Sequence, residues 1–395
     1  MVDRRTLFSG ALASAVAADR VAHAANSGAH KSAVYDVEPR GEVGIFERIS
    51  SLNVEGQLDF HTGYRRWMSA KLLRTANARS IELLKANGID PATDAPIEDI
   101  VAVLTADQTV AMYLHNWERT QEAMWKIIKD ECDRNDDALL DEMARAEKAG
   151  PGTLVLNKGL EIPDYACYEI HIQPGGYVGD RFAGHIYYYG TMVVVGGGAG
   201  NYQDNFQYSL AAALPPPADG KIRRILEQGT SCGQYAVALK RRFPEAEVWA
   251  DDVAGPMLRY AHMRTAQMGV DVRYVQGLSE KSQFPDNHFD MVTNNLLIHE
   301  VPAQQIKDIA AEAYRTLRPG GVFYPLDSYS GDQPRNTALS KYAAWRSYRW
   351  NHEVWWMEYY GLDLAQAMRD VGFKVDENGP KGRGDTTRNV VGYKI

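Results

Sequence analysis

"IRRILEQGTSCGQYAVAL", residues 222–239, carries an apolar run into a glycine turn and out into a helical pattern. Ile225 and Leu226 end a strand, Gly229 and Gly233 flank the turn, and "QYAVALKRRF" supplies the helix. Such a loop can bind a cofactor because the strand delivers the backbone to a tight turn and the helix opens with free N–H groups. An acid at the end of the next strand completes the site by accepting hydrogen bonds from ribose hydroxyls. Asp252, which closes "AEVWAD", stands about twenty residues past the loop, where that acid belongs.

A second glycine run, "TMVVVGGGAGNYQDN" at residues 191–205, competes for the same role. Only a short helical stretch follows Gly200 before Pro215-Pro216-Pro217, and Asp219 lies in that breaker, not at a strand end. It reads as a flexible or close-packed loop bordering a pocket. The loop at Gly229 is not a dinucleotide fingerprint either. Gly-x-Gly-x-x-Gly would need glycine where Ser231 and Gln234 stand. Glu227, just before the turn, would repel a diphosphate. It suits a cofactor with an ammonium group and no phosphate, such as S-adenosylmethionine.

Outward from the loop, strands and helices alternate from residue 221 to the end. "AEVWADD", "VDVRYVQG", "HFDMVTNN" and "GVFYPLD" are strand-like, with helical stretches between them. This predicts a doubly wound, mainly parallel α/β sheet of Rossmann-like kind. "GFKVDEN" and "NVVGYKI" read as two closing strands. Before it, residues 46–205 form a mostly helical N-terminal region with a Gly- and Tyr-rich end, whose pieces at 151–205 look strand-like. Met112, Trp117, Met124, Ile127 and Ile128 recur near helical spacing and read as core. Residues 206–395 are the α/β domain and 25–45 a linker. Residues 1–24 combine Arg4-Arg5, a short apolar run and Ala22-His23-Ala24, similar to a twin-arginine export signal. Export to the periplasm is the expected location; the competing reading is a cytoplasmic protein with an amphipathic N-terminal helix.

With the neighbouring motifs included, the chain resembles the class I S-adenosylmethionine-dependent methyltransferases. Within them it is closest in type to the small-molecule enzymes of ubiquinone and menaquinone biosynthesis. "ILEQGTSCG", "VWADDVAGPML", "GLSEKSQFPDNHFD", "MVTNNLLIHEVP" and "TLRPGG" occur in the family's order between Ile222 and Gly321. The resemblance implies cofactor contacts from Glu227, Gly229, Ser231 and Gly233 in the loop. It places Asp252, with Val253, on the ribose, Asp251 being the neighbouring candidate. Gly277, Leu278 and Ser279 fall near the adenine, and Asn294 at the end of the fourth strand. Leu278 replaces an acid the family often has, leaving Ser279, Glu280 or backbone groups for the adenine amino group. The activity implied is methyl transfer to a small-molecule acceptor, aromatic or lipid-like; the alternative is a non-catalytic S-adenosylmethionine-binding protein. His299, just past the fourth strand, is the candidate general base.

Two aromatic stretches could roof the acceptor: one with Tyr187 and Tyr189, the other with Trp355 and Tyr359. A domain interface or homodimer contact is the competing use of these rings. A net charge of -8 argues against nucleic acid as a partner. So does the absence of Pro-Pro after Asn294-Asn295, which a base-modifying methyltransferase of this fold would carry. Three scattered cysteines and no paired-histidine motif indicate neither a disulfide framework nor a metal site. No segment is apolar enough for a membrane span.

Overall fold

The apolar run before Gly229 is a central strand of an eight-stranded sheet. The computed structural model describes residues 42–43, 46–47, 49, 51–194, 204–327, 337–380 and 389–395. The export-like segment, most of the linker and the loop "GGGAGN" lie outside them.

The strands are β1 (Thr153–Val155), β2 (Arg224–Gln228), β3 (Glu247–Asp252), β4 (Arg273–Gln276), β5 (Phe289–Asn295), β6 (Leu317–Leu326), β7 (Lys374–Asp376) and β8 (Val391–Tyr393). Their order across the sheet is β1-β4-β3-β2-β5-β6-β8-β7. The first six run parallel; β8 is antiparallel to both β6 and β7. The order reverses at β2, between β3 and β5, so the crevice for a ligand opens at their carboxyl ends.

Strand β2 alternates cleanly between the two faces. Ile225 packs with Val248, Tyr274 and Met291 on one side. Leu226 packs with Val292, Phe289 and Phe323 on the other. Both are fully buried, as strands covered on two faces require. Register is pinned by Asp290, whose Oδ2 accepts the Arg223 and Arg224 N–H groups at 2.7 and 2.8 Å.

The helices are α1 (Leu52–Trp67), α2 (Leu73–Ala86), α3 (Ile97–Thr105), α4 (Gln108–Arg134), α5 (Asp136–Ala146), α6 (Ala183–Val194), α7 (Asp204–Ala213), α8 (Gln234–Arg242), α9 (Gly255–Gln267), α10 (Ala303–Thr316), α11 (Ala338–Trp350), α12 (Trp356–Gly361) and α13 (Leu364–Asp370). Helices α7, α8 and α9 contribute to one core beside the sheet, and α10 and α13 to the other. The longest helix, α4, starts where the Asp107 carboxylate accepts the Thr109 and Val110 N–H groups. Its buried stripe is Val110, Tyr113, Leu114, Gln121, Met124, Trp125, Ile128 and Cys132. Of the residues expected there, Met124 and Ile128 are buried, Trp117 and Ile127 are half-buried, and Met112 is exposed. The stripe keeps Met124 and Ile128, but Tyr113 and Trp125 take the inward face in place of Met112 and Ile127.

The stretch "HIYYYGTMVVV" corrects another expectation. Its residues 185–194 are not strand-like but lie in α6, wedged between α4 and α9. Glycines make that approach possible: a Cβ on Gly184 would fall 2.3 Å from the Tyr260 Cβ, and one on Gly190 1.7 Å from the Trp125 ring. Tertiary packing overrides the local β preference of tyrosine and valine here. Residues 151–194 are thus tied to the sheet twice, through β1 beside β4 and through α6 on α9. Among the described residues no helix is long and apolar enough to cross a membrane.

Gly190→Ala should therefore destabilise the protein by about 1–3 kcal/mol through overpacking against Trp125. Gly56→Ala in α1, where nothing lies within 4 Å of an added Cβ, should instead gain about 0.5–1 kcal/mol from helix propensity. Denaturant unfolding of the two variants checks both signs.

Candidate functional site

At the carboxyl end of β2 the chain turns sharply through Gly229 (φ 63°), Ser231 (φ 54°) and Gly233 (φ 73°). Gly233 begins α8, and a Cβ there would lie 2.3 Å from the Tyr274 hydroxyl. Gly233 thus combines a left-handed backbone with a close contact, and no other residue type tolerates both.

The turn is stitched to its neighbours by carboxylates. The Ser231 N–H donates to Asp252 Oδ2 at 2.7 Å, and the Gly229 N–H to Asp251 Oδ1 at 3.2 Å. Asp251 also accepts from the Ser279 hydroxyl at 2.5 Å, and Asp252 from the Ala254 N–H at 2.8 Å. Gln228 Nε2 donates to the Ser279 carbonyl at 3.1 Å, and the Gly277 N–H to the Asp252 carbonyl at 3.0 Å. Glu227 is buried beneath the turn and accepts from the Thr230 hydroxyl at 2.8 Å.

Burial raises all three carboxyls. Asp252 is pushed up to about 6 and Asp251 to about 7, despite the N–H groups that favour their charged forms. Glu227 lies well above the usual range, with burial first and the two aspartates adding to it.

A cavity of about 830 Å³, counting its open mouth, lies over this edge. Its floor is Gly229, Ser231, Asp252, Val253, Leu278, Ser279 and Glu280. Asn295, Leu296, Leu297, Glu300 and Val301 follow β5, and Met257 and Ile309 close the sides. The roof comes from the segment between β1 and α6 and from α6 itself: Tyr165, Ala166, Ile170, Tyr177 and Tyr187. Tyr177 and Tyr187 meet edge to face at 5.6 Å, and the Tyr165 hydroxyl is bonded to Glu280.

Of the expected cofactor residues, Gly229, Ser231, Asp252, Val253, Leu278 and Ser279 line the cavity. Glu227, Gly233, Gly277 and Asn294 stand behind this lining and shape it. Buried polar atoms without hydrogen-bond partners gather at the same edge: Gln228 Oε1, Asp251 Oδ2 and both side-chain atoms of Asn294. The Ser279 hydroxyl already serves Asp251, and Leu278 and Glu280 flank it in the cavity lining.

The acceptor side departs more from expectation. Of the four predicted pocket residues only Tyr187 reaches the cavity. Tyr189 packs in the core around α4, α6 and α9. The Trp355 indole donates to the Tyr165 carbonyl and meets Tyr168 edge-on, one layer behind the roof. Tyr359 is fully buried in the core that holds Phe289 and Phe323. The insert after β6 braces the roof from outside instead of forming it, with Tyr342 packed among the N-terminal helices.

His299 is also set back from the cavity wall. Its Nδ1 is held by Asp327 at 2.6 Å and its Nε2 faces Glu300 and Glu353. Burial lowers its pKa, but Asp327 and the other carboxylates outweigh this and lift it well above the ordinary value. A histidine kept protonated accepts no proton, so the geometry does not make it a free base. The short turn Ile298–Glu300 brings the next residue, Glu300, to the cavity instead. Tyr165 and Tyr177 had no periodic signal to mark them.

A glycine turn after the first strand of a doubly wound sheet, with an acid after the second, defines a class I S-adenosylmethionine-dependent methyltransferase domain, and S-adenosylmethionine is the cofactor of that class. Residues 225–321 match the family described as a methyltransferase domain. The chain is 36% identical over 105 residues to the demethylmenaquinone methyltransferase of Thermus thermophilus, covering 27% of this chain and 47% of that relative. It is 33% identical over 105 residues to the ubiquinone/menaquinone biosynthesis C-methyltransferase UbiE of Desulfotalea psychrophila, covering 27% and 41%. The chain therefore spans less than half the length of these two relatives. A solved phosphoethanolamine N-methyltransferase 2 of Haemonchus contortus, in complex with S-adenosyl-L-methionine, is 18% identical over 44% of this chain and 37% of that one. Its TM-score of 0.33 adds nothing to the topology above. The matched family segment holds the turn and Asp252 but not the tyrosine roof.

Asp252→Ala should weaken S-adenosylhomocysteine binding by roughly 1–3 kcal/mol, the cost of leaving ribose hydroxyls without a charged acceptor. Because ionised Asp252 is the acceptor, wild-type affinity should rise as pH climbs through about 6 and level off above it. Of the neighbouring acids, Glu300 opposes that ionisation. Calorimetry across this range should give a flat profile for Asp252→Asn.

Proposed function

We propose that the protein transfers the methyl group of S-adenosylmethionine to a small acceptor with an aromatic ring. One observation carries this reading: Gly229, Ser231 and Asp252 share a single cavity with the rings of Tyr165, Tyr177 and Tyr187. The relatives' names, which mention demethylmenaquinone and ubiquinone/menaquinone, point the same way, towards a ring substrate with a lipid-like tail.

The turn at 229–233 and Asp252 would hold the cofactor's amino-acid and ribose parts, and Val253, Leu278 and Ser279 its base. The bound cofactor supplies an activated methyl on a sulfonium. The chain then contributes alignment and exclusion of water. Tyr177 and Tyr187, fixed edge to face, restrict the tilt of an acceptor ring, and Met257, Leu296, Leu297 and Ile309 keep the site dry. The Tyr177 hydroxyl donates to Glu300 at 3.2 Å, which fixes the orientation of this ring.

Incubation with methyl-labelled S-adenosylmethionine and a cell extract, followed by identification of the labelled product, tests the reading. A labelled aromatic product supports it. Tight S-adenosylhomocysteine binding with no labelled product from any extract would sink it in favour of a binding protein. Tyr187→Ala should lower kcat/KM for the identified acceptor by about tenfold, roughly the worth of one aromatic contact. Cofactor affinity should stay unchanged.

A further inference from the structure

Beside the cavity, three segments far apart in sequence bring two imidazoles and two glutamates to one point. They are the turn with His171, the turn with His299 and Glu300 after β5, and the loop with Glu353 between α11 and α12. His171 Nε2 lies 3.3 Å from Glu300 Oε1, and His171 Nδ1 3.0 Å from Glu353 Oε1. His299 Nε2 lies 3.6 Å from Glu300 Oε1 and 3.9 Å from Glu353 Oε2. A cation about 2.0–2.2 Å from four nitrogen and oxygen ligands holds those ligands roughly 3.3–3.6 Å apart. His171, Glu300 and Glu353 each offer one ligand atom within 4.8 Å of the others, so a small contraction around an ion brings these three to that spacing.

We propose that His171, Glu300 and Glu353 bind a divalent first-row transition cation, with His299 beside them. Three further features support the site. Glu353 is 3% exposed, yet its Oε2, facing His299, has no hydrogen-bond partner, and neither has Glu300 Oε2. A buried carboxylate oxygen without a donor is costly, and a cation removes the cost. The second feature lies behind His299. Its Nδ1 is held by the fully buried Asp327 carboxylate at 2.6 Å, leaving Nε2 to face the cluster. His299 is thus fixed beside the three ligands by an outer hydrogen bond of the kind that surrounds metal sites.

The third is the backbone at His171. It and Ile172 both adopt left-handed φ, 58° and 59°, which a β-branched residue rarely does. The strain is held by Gln121 Nε2 and Trp125 Nε1, which donate to the His171 carbonyl at 2.9 and 2.7 Å. Without that backbone the imidazole would not face Glu300.

An imidazole with two carboxylates favours zinc, manganese, iron or cobalt in the divalent state over magnesium or calcium, which take oxygen ligands. Because Glu300 lines the cavity, the ion would sit at its wall, beside the acceptor. That location rests on the function proposed above; the metal site itself does not.

The test uses the full chain, stripped with a chelator and titrated with Co²⁺. The expected result is one Co²⁺ per chain, with visible d–d absorption, paramagnetically shifted imidazole resonances and displacement by Zn²⁺. Glu353→Gln and His171→Asn should each weaken Co²⁺ binding at least about tenfold. The wild-type resonances carry the test even if a variant fails to fold. No saturable Co²⁺ binding by the wild type up to millimolar concentration would overturn the proposal. So would binding without shifted imidazole signals. S-adenosylhomocysteine binding on the same samples reports separately on the cofactor reading.

Discussion

Three carboxylates taken out of water at the ends of two adjacent strands govern the architecture of this protein. Burial raises the proton affinity of Glu227, Asp251 and Asp252, and the Asp252 charge adds to it at the other two. The fold tolerates them because the turn at 229–233 and the loops after β3 and β4 aim N–H and hydroxyl donors at them. The left-handed backbone at Gly229 and Ser231 points those N–H groups at the carboxylates. The cavity floor is thus a by-product of satisfying buried charge, and a ligand with hydroxyl or ammonium donors continues the same pattern.

The roof depends on a different constraint, the missing side chains of Gly184 and Gly190. They let α6 press against Tyr260 on one side and Trp125 on the other. Trp125 also donates to the carbonyl of His171. One indole therefore positions both the helix that carries Tyr187 and the turn that carries His171. Packing of the N-terminal helices and geometry at the cavity are coupled through that single ring.

Local rules were enough to read the α/β half from the sequence. Period-two burial at Ile225 and Leu226, a positive-φ glycine turn and an acid at a strand end are each encoded within a few residues. The acceptor side was not legible because its residues are chosen by long-range packing. His299 and Glu300 are adjacent, and only the turn Ile298–Glu300 decides which one meets the cavity. Trp355 and Tyr359 looked like a roof from composition, yet Tyr165 and the sheet core claim them. The cluster of His171, Glu300 and Glu353 has no ligand spacing along the chain, since its members come from three separate segments. The strand-like reading of residues 183–194 failed for the same reason: a helix buried on two sides by glycine contacts does not show the propensities of a solvent-facing one.

Strand β1 has a bearing on solubility. Thr153–Val155 covers β4, which would otherwise present open N–H and C=O groups at one margin of the sheet. At the other margin β7 is equally short and carries Lys374 and Asp376. Both borders are therefore three-residue stubs, too short to template pairing with another molecule, and one of them is charged as well. A largely parallel sheet forms slowly because its partners are distant in sequence, and here Thr153 must find Arg273. Until it does, β4 is the sticky margin, and docking of the N-terminal region is the step that closes it.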